Sequence, residues 1–206
     1  MMYKAIITGA SSGIGQAIYK ALKQDPSFIE VIGISRTGPD LKIDLSKPLP
    51  KQPIAKKVNL LINCAGVMPF NETTNVMDTN FWGTYNLIRN LKLSFPVGSC
   101  IINIASVSGM MAEPEFPVYA ASKAAIISLT KSLAKKFAPV VRVNCISPGF
   151  YKTNLVEGET PQELIDKIPL RFEEEPESIV PIIKMIWEAK YMTGTNIVID
   201  GGISIC

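Results

Sequence analysis

Tyr3-Lys-Ala-Ile-Ile-Thr-Gly-Ala-Ser-Ser-Gly-Ile-Gly-Gln-Ala-Ile-Tyr-Lys-Ala-Leu-Lys23 decides how the rest of the chain is read. It opens with an apolar, β-branched run of strand length and closes with Ile14, Ile18 and Leu22 on one helical stripe. Between them lies a glycine-rich turn, Thr8-Gly-Ala-Ser-Ser-Gly-Ile-Gly15. Glycine permits a tight turn and close backbone approach, and a helix start offers unpaired N–H groups and the positive end of a dipole to phosphate. Strand, glycine turn and helix in that order, opening a βαβ unit, form a dinucleotide-binding signal. No Gly-Lys-Ser/Thr follows, which argues against a nucleoside-triphosphate loop.

The alternation continues along the chain. Runs at 29–35, 58–63, 100–105, 140–146 and 196–200 read as strands, with a short candidate at 41–43. Helical patterns fall at 76–93 (Phe81, Tyr85, Ile88, Leu91), 118–137 (Ala125, Leu129, Leu133, Phe137) and 176–189 (Ile179, Ile183, Ile186). Almost wholly apolar strands alternating with helices predict an α/β fold: a doubly wound, Rossmann-like parallel sheet covered on both faces. Ligands of such a sheet bind beyond the carboxyl ends of its strands. Residues 37–57, rich in Pro and Lys, break the pattern and predict shortened crossovers after the second strand. The first strand and helix cannot close a core alone, so 1–206 is expected to form a single domain.

Composition narrows the function classes. A hydrophobic fraction of 47% against 19% charged residues indicates a soluble globular protein. The net charge is only +3 and its basic residues are scattered, which speaks against nucleic acid or a membrane surface as partner. With no apolar stretch of spanning length and no signal-like N-terminus, a cytoplasmic location is expected. Cys64, Cys100, Cys145 and Cys206 are far apart, the pattern of reduced thiols; without His or clustered Cys no metal site is expected.

Proton chemistry on an alcohol or carbonyl needs a titratable group, usually histidine, and this chain has none. Tyr119 and Lys123, four apart on a helix, share a face, and an ammonium beside a phenol favours the phenolate. Tyr19 and Lys23 repeat the spacing. Only Tyr119 follows a strand-like run that ends on a serine, Ser99-Cys-Ile-Ile-Asn-Ile-Ala-Ser106. Without His or a Gly-x-Ser-x-Gly elbow, Ser106 is not read as a hydrolase nucleophile.

From end to end these motifs resemble the short-chain dehydrogenases/reductases. Gly9, Ala10, Ser11, Ser12, Gly13, Ile14 and Gly15 look like that family's cofactor loop, and Asn63-Cys-Ala-Gly66 is similar to its Asn-Asn-Ala-Gly, with Cys64 as a departure. Asn80, in Asp78-Thr-Asn-Phe-Trp-Gly83, falls where the family keeps an active-site asparagine. Ser106, Tyr119 and Lys123 fit its catalytic trio, and Pro148-Gly-Phe-Tyr-Lys-Thr153 resembles the segment beside the nicotinamide. Ile168-Pro-Leu-Arg171, Thr193-Gly194 and Asp200-Gly-Gly202 resemble its closing motifs.

The resemblance implies an NAD(P)-binding oxidoreductase that interconverts a carbonyl and an alcohol. Tyr119 would be the acid/base, Ser106 would orient the substrate oxygen, and Lys123 would support the tyrosine and hold the nicotinamide ribose. Asn80 would hold a relay water through a backbone carbonyl freed by a helix distortion. Asn63, Ala65, Gly66, Pro148, Gly149, Tyr151 and Thr153 would line the cofactor site, with Asp44 and Leu45 facing the adenine. Ser35 and Arg36 stand where an acidic residue would bind the ribose of NAD; a guanidinium there can fork onto a 2′-phosphate, so NADP(H) is favoured over NAD(H). Met68, Val107, Met110, Met111, Phe116, Phe150 and Leu155 suggest an apolar small-molecule substrate. A 3-oxoacyl thioester reductase is one alternative, and a non-catalytic NADP(H)-binding sensor or scaffold another. Trp82, Leu87, Ile126 and Ile127 widen the apolar faces of their helices, and relatives pair those helices, so a homodimer or homotetramer is expected.

Overall fold

The computed structural model describes residues 2–68, 75–155 and 160–205. Seven strands form one sheet: β1 (Tyr3–Thr8), β2 (Phe28–Ser35), β3 (Leu41–Lys42), β4 (Leu60–Asn63), β5 (Ser99–Ile104), β6 (Val141–Pro148) and β7 (Asn196–Ile199). All neighbouring pairs are parallel, in the order β3-β2-β1-β4-β5-β6-β7. The order reverses between β1 and β4, the place where a doubly wound sheet opens a crevice at its carboxyl edge. Strand residues alternate between two cores, as a period of two requires. Ile6, Leu61, Ile101 and Val143 align across β1, β4, β5 and β6 and join one cluster, while Ile7, Ile62 and Ile102 align in the other.

Helices cover both faces. On one lie α1 (Gly13–Lys23) and α5 (Val180–Glu188), contributing Ile18, Leu22, Ile183 and Ile186. On the other lie α2 (Thr84–Leu91) and α3 (Pro117–Phe137), contributing Leu87, Ile88, Leu91 and Leu133. The helix expected at 76–93 is interrupted by a π-helical turn, Asp78–Gly83. A short α4 (Gln162–Ile165) also forms, where no helix was expected. Arg142 of β6 ties α5 to the sheet: its guanidinium donates to the carbonyls of Ile186, Trp187, Ala189 and Met192 at 2.9–3.1 Å. A cation at a helix C-terminus also answers the negative end of the dipole.

Between β2 and β4 the shortened crossovers are coil, without a helix among the described residues. Leu49, Ile54 and Ala55 lie on the core that α2 covers, and the Asn90 side chain fastens this coil. Its Oδ1 accepts from Ile54 N (3.0 Å), and its Nδ2 donates to the carbonyls of Pro50 and Gln52.

One expectation fails here. Leu87 and Ile126, taken as apolar residues needing a partner, are covered by the chain itself at 0% and 2% exposure. Trp82 does stay exposed, beside Phe81 and Tyr85.

Candidate active site

The carboxyl end of β5 carries the serine. Ser106 caps a 3-10 turn, Val107–Gly109, and its Oγ accepts from Ser108 N at 3.1 Å, which leaves the hydroxyl hydrogen for another acceptor. The turn lies against α3 because position 109 has no side chain: a Cβ on Gly109 would stand 2.6 Å from Ala124 N and 2.7 Å from Lys123 C. α3 then presents Tyr119 and Lys123, each 5% exposed. Lys123 Nζ lies 5.6 Å from the centroid of the Tyr119 ring and donates to the carbonyl of Ile104 at 3.0 Å.

Spacing alone does not distinguish this pair. Lys23 Nζ approaches the Tyr19 ring centroid to 5.4 Å. Tyr19, however, sits near Asp40 and lines neither of the cavities described below; burial and then Asp40 push its phenol upward. Ser106, Tyr119 and Lys123 all line a cavity of about 690 Å³.

Asn80 lies behind that wall, 2% exposed and within the π-helical turn, the kind of local distortion that often marks functional positions. Its Oδ1 accepts from Val67 N at 2.8 Å. Its Nδ2 donates to Val67 O at 3.0 Å and to Ser122 Oγ at 3.1 Å. Ser122, fully buried, passes the link on by donating to the carbonyl of Tyr119 at 2.7 Å. One chain of hydrogen bonds therefore runs from the loop after β4, through the π turn, to the tyrosine. The sequence reading missed Ser122, although its place directly before Lys123 on the buried face of α3 was a usable signal.

The glycine loop lies across the sheet's switch point. Gly9 has φ +69°, and a Cβ there would come within 3.0 Å of Ala65, so this turn and the loop after β4 touch backbone to backbone. Thr8 Oγ1 accepts from both Cys64 N (3.0 Å) and Ala65 N (2.9 Å) and fixes the second loop to the first. Gly9 and Gly66 line both the main cavity and a second one of about 290 Å³. The two cavities together make an elongated cleft across β1 and β4, passing the first turn of α1, which holds no acidic residue. This shape and polarity fit a dinucleotide, with phosphates at the helix start.

The remaining expected positions divide between the cavities and the core. Ser12, Gly13, Ile14, Gly15, Pro148, Gly149, Tyr151 and Thr153 line the main cavity. Ser11, Ser35, Arg36, Asp44, Leu45 and Ala65 line the smaller one. Leu45 is only 7% exposed and packs on the core beside Gly83. Asp44 Oδ1 accepts from Ser46 N and Oγ, and these bonds, aided by Lys47 and Arg36, hold its carboxyl below the usual range. Ala10 and Asn63 line neither cavity. Ala10 is buried under the loop, and Asn63 Nδ2 donates to Asn103 Oδ1 at 2.8 Å, a cross-link between β4 and β5. The expected cofactor contact of these two residues is not carried by cavity-lining side chains.

On the substrate side Met68, Val107, Phe150 and Leu155 line the cavity, whereas Met110, Met111 and Phe116 do not. Glu113, Lys152, Thr160, Gln162 and Glu173 line it too, so the wall is less apolar than expected. Cys64, also on the wall, has its thiol pushed up to about 12 by burial, which outweighs the nearby Lys123 and leaves it protonated at neutral pH. The thiols of Cys64, Cys100 and Cys145 are free; Cys206 lies outside the described residues. Among the described residues no group of side chains could hold a metal, and no helix is long and apolar enough to cross a membrane.

A parallel sheet in this order, with a glycine turn at its switch point, defines a nucleotide-binding α/β protein. Comparison with known proteins makes the class specific. Residues 52–204 match a family model described as enoyl-(acyl carrier protein) reductase. A 3-oxoacyl-(acyl-carrier-protein) reductase of Chlamydia pneumoniae is 30% identical over 98% of this chain and 96% of its own length. An uncharacterized short-chain type dehydrogenase/reductase of Sinorhizobium fredii, 26% identical over 96% of this chain, is longer, and the match spans 43% of it. Among solved structures, a 4-hydroxyisoleucine dehydrogenase complexed with NADH is 33% identical, with 99% of each chain covered and a TM-score of 0.83. A putative 2-deoxy-d-gluconate 3-dehydrogenase of Agrobacterium tumefaciens with bound NADP is 25% identical, covering 99% of this chain and 97% of its own, at a TM-score of 0.86. The chain belongs to the short-chain dehydrogenase/reductase family, and is an NAD(P)-dependent enzyme acting on CH–OH/C=O groups.

The Ser122 link is open to test by stability. Ser122→Ala takes away one of the two acceptors of the buried Asn80 amide and should lose about 1–3 kcal/mol in urea unfolding. Ser122→Thr, which keeps the hydroxyl, should recover most of that loss. An alanine variant as stable as the parent would show that the link carries no weight.

Proposed function

We propose that residues 1–206 form one NADP(H)-dependent oxidoreductase unit that interconverts a carbonyl and a secondary alcohol with Tyr119 as acid/base. The observation that carries this reading is the meeting of Ser106, Tyr119 and Lys123 on one cavity wall that continues into the glycine cleft. The Ser106 hydroxyl, its oxygen already accepting from Ser108 N, donates to the substrate oxygen and orients it. Tyr119 gives its proton to that oxygen in reduction and takes it back in oxidation. Lys123, held by Ile104 O, keeps a positive charge beside the phenol, and Asn80 and Ser122 position the turn and helix that carry the pair. A nicotinamide cofactor, which the glycine loop and the other residues lining the cleft would hold, would supply or accept the hydride. The match to a 3-oxoacyl reductase favours a 3-oxoacyl thioester as one substrate to try. The free thiols of the described cysteines support the cytoplasmic setting expected above.

Tyr119→Phe keeps the ring and removes the proton, so turnover of a reducible carbonyl should fall by about 10² or more while cofactor binding persists. Tyr19→Phe should leave turnover intact. Parallel kinetics of the two variants decide the matter, and equal effects would remove Tyr119 from this role.

Arg36 is exposed on the smaller cavity beside Ser35 and Thr37, which supports a role for its guanidinium in meeting a 2′-phosphate. Relatives of known structure hold NADH in one case and NADP in another, so family membership does not decide the preference. A charge-assisted contact of about 1.5–3 kcal/mol should make NADPH bind more tightly than NADH, and Arg36→Ala should narrow that gap. Calorimetric affinities that are equal in the parent chain would refute the preference.

Assembly is proposed through the exposed Trp82 face of the π turn and α2, next to Phe81 and Tyr85, giving at least a homodimer. Light scattering at micromolar concentration should return twice the chain mass or more, and Trp82→Asp should shift it toward one. A parent chain that runs as a monomer would overturn the assembly.

A further inference from the structure

The substrate side of the main cavity carries two carboxylates. Glu113 and Glu173, both half-buried, line it. Glu113 belongs to the loop that follows Ser106: its Oε2 lies 3.5 Å from Ser108 Oγ, and Ser108 N donates to Ser106 Oγ. That places a carboxylate one residue removed from the hydroxyl that orients the substrate oxygen. Glu173 is placed by backbone pairing, since Glu174 N donates to Phe150 O (3.0 Å) and Lys152 N donates to Glu174 O (2.9 Å). Thr160 Oγ1 donates to Glu173 Oε1 and orients that carboxylate.

Two lysines line the same cavity, one buried at its wall and the other paired with a carboxylate. Lys123 is 5% exposed and held by Ile104 O. Lys152 forms a 2.5 Å ion pair with Glu175, which raises the pKa of its ammonium. Arg36 lies on the other cavity. An anion entering the substrate side therefore meets two half-buried carboxylates, while of the two described lining lysines one is buried at the wall and the other is paired with Glu175.

We infer that Glu113 and Glu173 act as a charge filter: the site takes uncharged or cationic carbonyl and alcohol substrates, and rejects those with a carboxylate or phosphate near the reacting carbon. The inference rests on the oxidoreductase reading for the identity of the site and adds its substrate class. A neutral 3-oxo ester or thioester passes the filter, and the corresponding 3-oxo acid does not. Both carboxylates offer acceptors to hydroxyl or ammonium groups of an accepted substrate.

The test uses a matched pair, ethyl acetoacetate and acetoacetate, which share the reacting carbonyl and differ in charge. With NADPH, kcat/KM for the ester should exceed that for the acid by about tenfold or more, the order of one like-charge contact near a protein surface. The Glu113→Gln/Glu173→Gln double variant, which keeps shape and acceptors, should bring the ratio toward one, and added salt should narrow it in the parent. Saturation-transfer NMR on the NADP⁺-loaded protein reads the same preference without turnover, with signal from the ester and none from the acid. Acetoacetate bound or reduced as well as its ester, an unchanged ratio in the double variant, or transfer to neither probe would each overturn the filter. An ester that binds selectively but is never reduced would sink the oxidoreductase reading and leave the filter standing.

Discussion

A charged ammonium with 5% of its surface exposed has to be answered by acceptors, and Lys123 finds one in the carbonyl of Ile104, 3.0 Å away. That contact ties α3 to the end of β5. It requires the strand to stop where its last carbonyl is available and the following turn to leave room for the helix, which Gly109 provides. The tyrosine one turn earlier is then held at the cavity wall, level with the serine that caps the turn. The site is a consequence of helix and strand meeting at this one point.

A second line of buried polar groups holds the same helix further along. Asn63 donates to Asn103, Asn103 to Thr130 Oγ1, and Thr130 to the carbonyl of Ile126, all within 2.8–2.9 Å. Asn103 is wholly buried, and Asn63 and Thr130 nearly so. In an otherwise apolar core these amides have few alternative partners, so they fix which residues of β4, β5 and α3 lie opposite one another. Apolar packing alone tolerates some sliding; a polar ladder does not.

Much of this was legible in advance. Apolar runs of strand length stand out from helical stripes because both periods are clean, and the glycine turn follows from a strand and helix that must join tightly. The serine, tyrosine and lysine could be placed because strand ends and helix faces are local properties. What spacing did not give was the step from motif to side-chain packing. Ala10 and Asn63 belong to cofactor motifs, yet their side chains point into packing, which depends on register between strands. Leu87 and Ile126 read as surplus apolar residues because a single helical stripe was assumed. The π turn before α2 shifts the phase of that helix, and core residues from neighbouring elements cover both side chains. The Asn80–Ser122–Tyr119 link spans three segments distant in sequence, and spacing carries no trace of it.

The coil fastened by Asn90 bears on how evenly the cleft is held. Regular helices resist opening cooperatively because each backbone bond supports the next; a coil held by the side chains of Asn90 and Ser94 has no such reinforcement. The sheet edge around β3 would thus exchange its amide hydrogens through small, local excursions, while the β5–α3 half opens only when the whole domain unfolds. On the proposed reading, the end of the cleft that would receive the adenosine is the compliant one, and the end that would move the proton is the rigid one. A cofactor would enter and leave by its adenosine end without disturbing the chemistry's geometry.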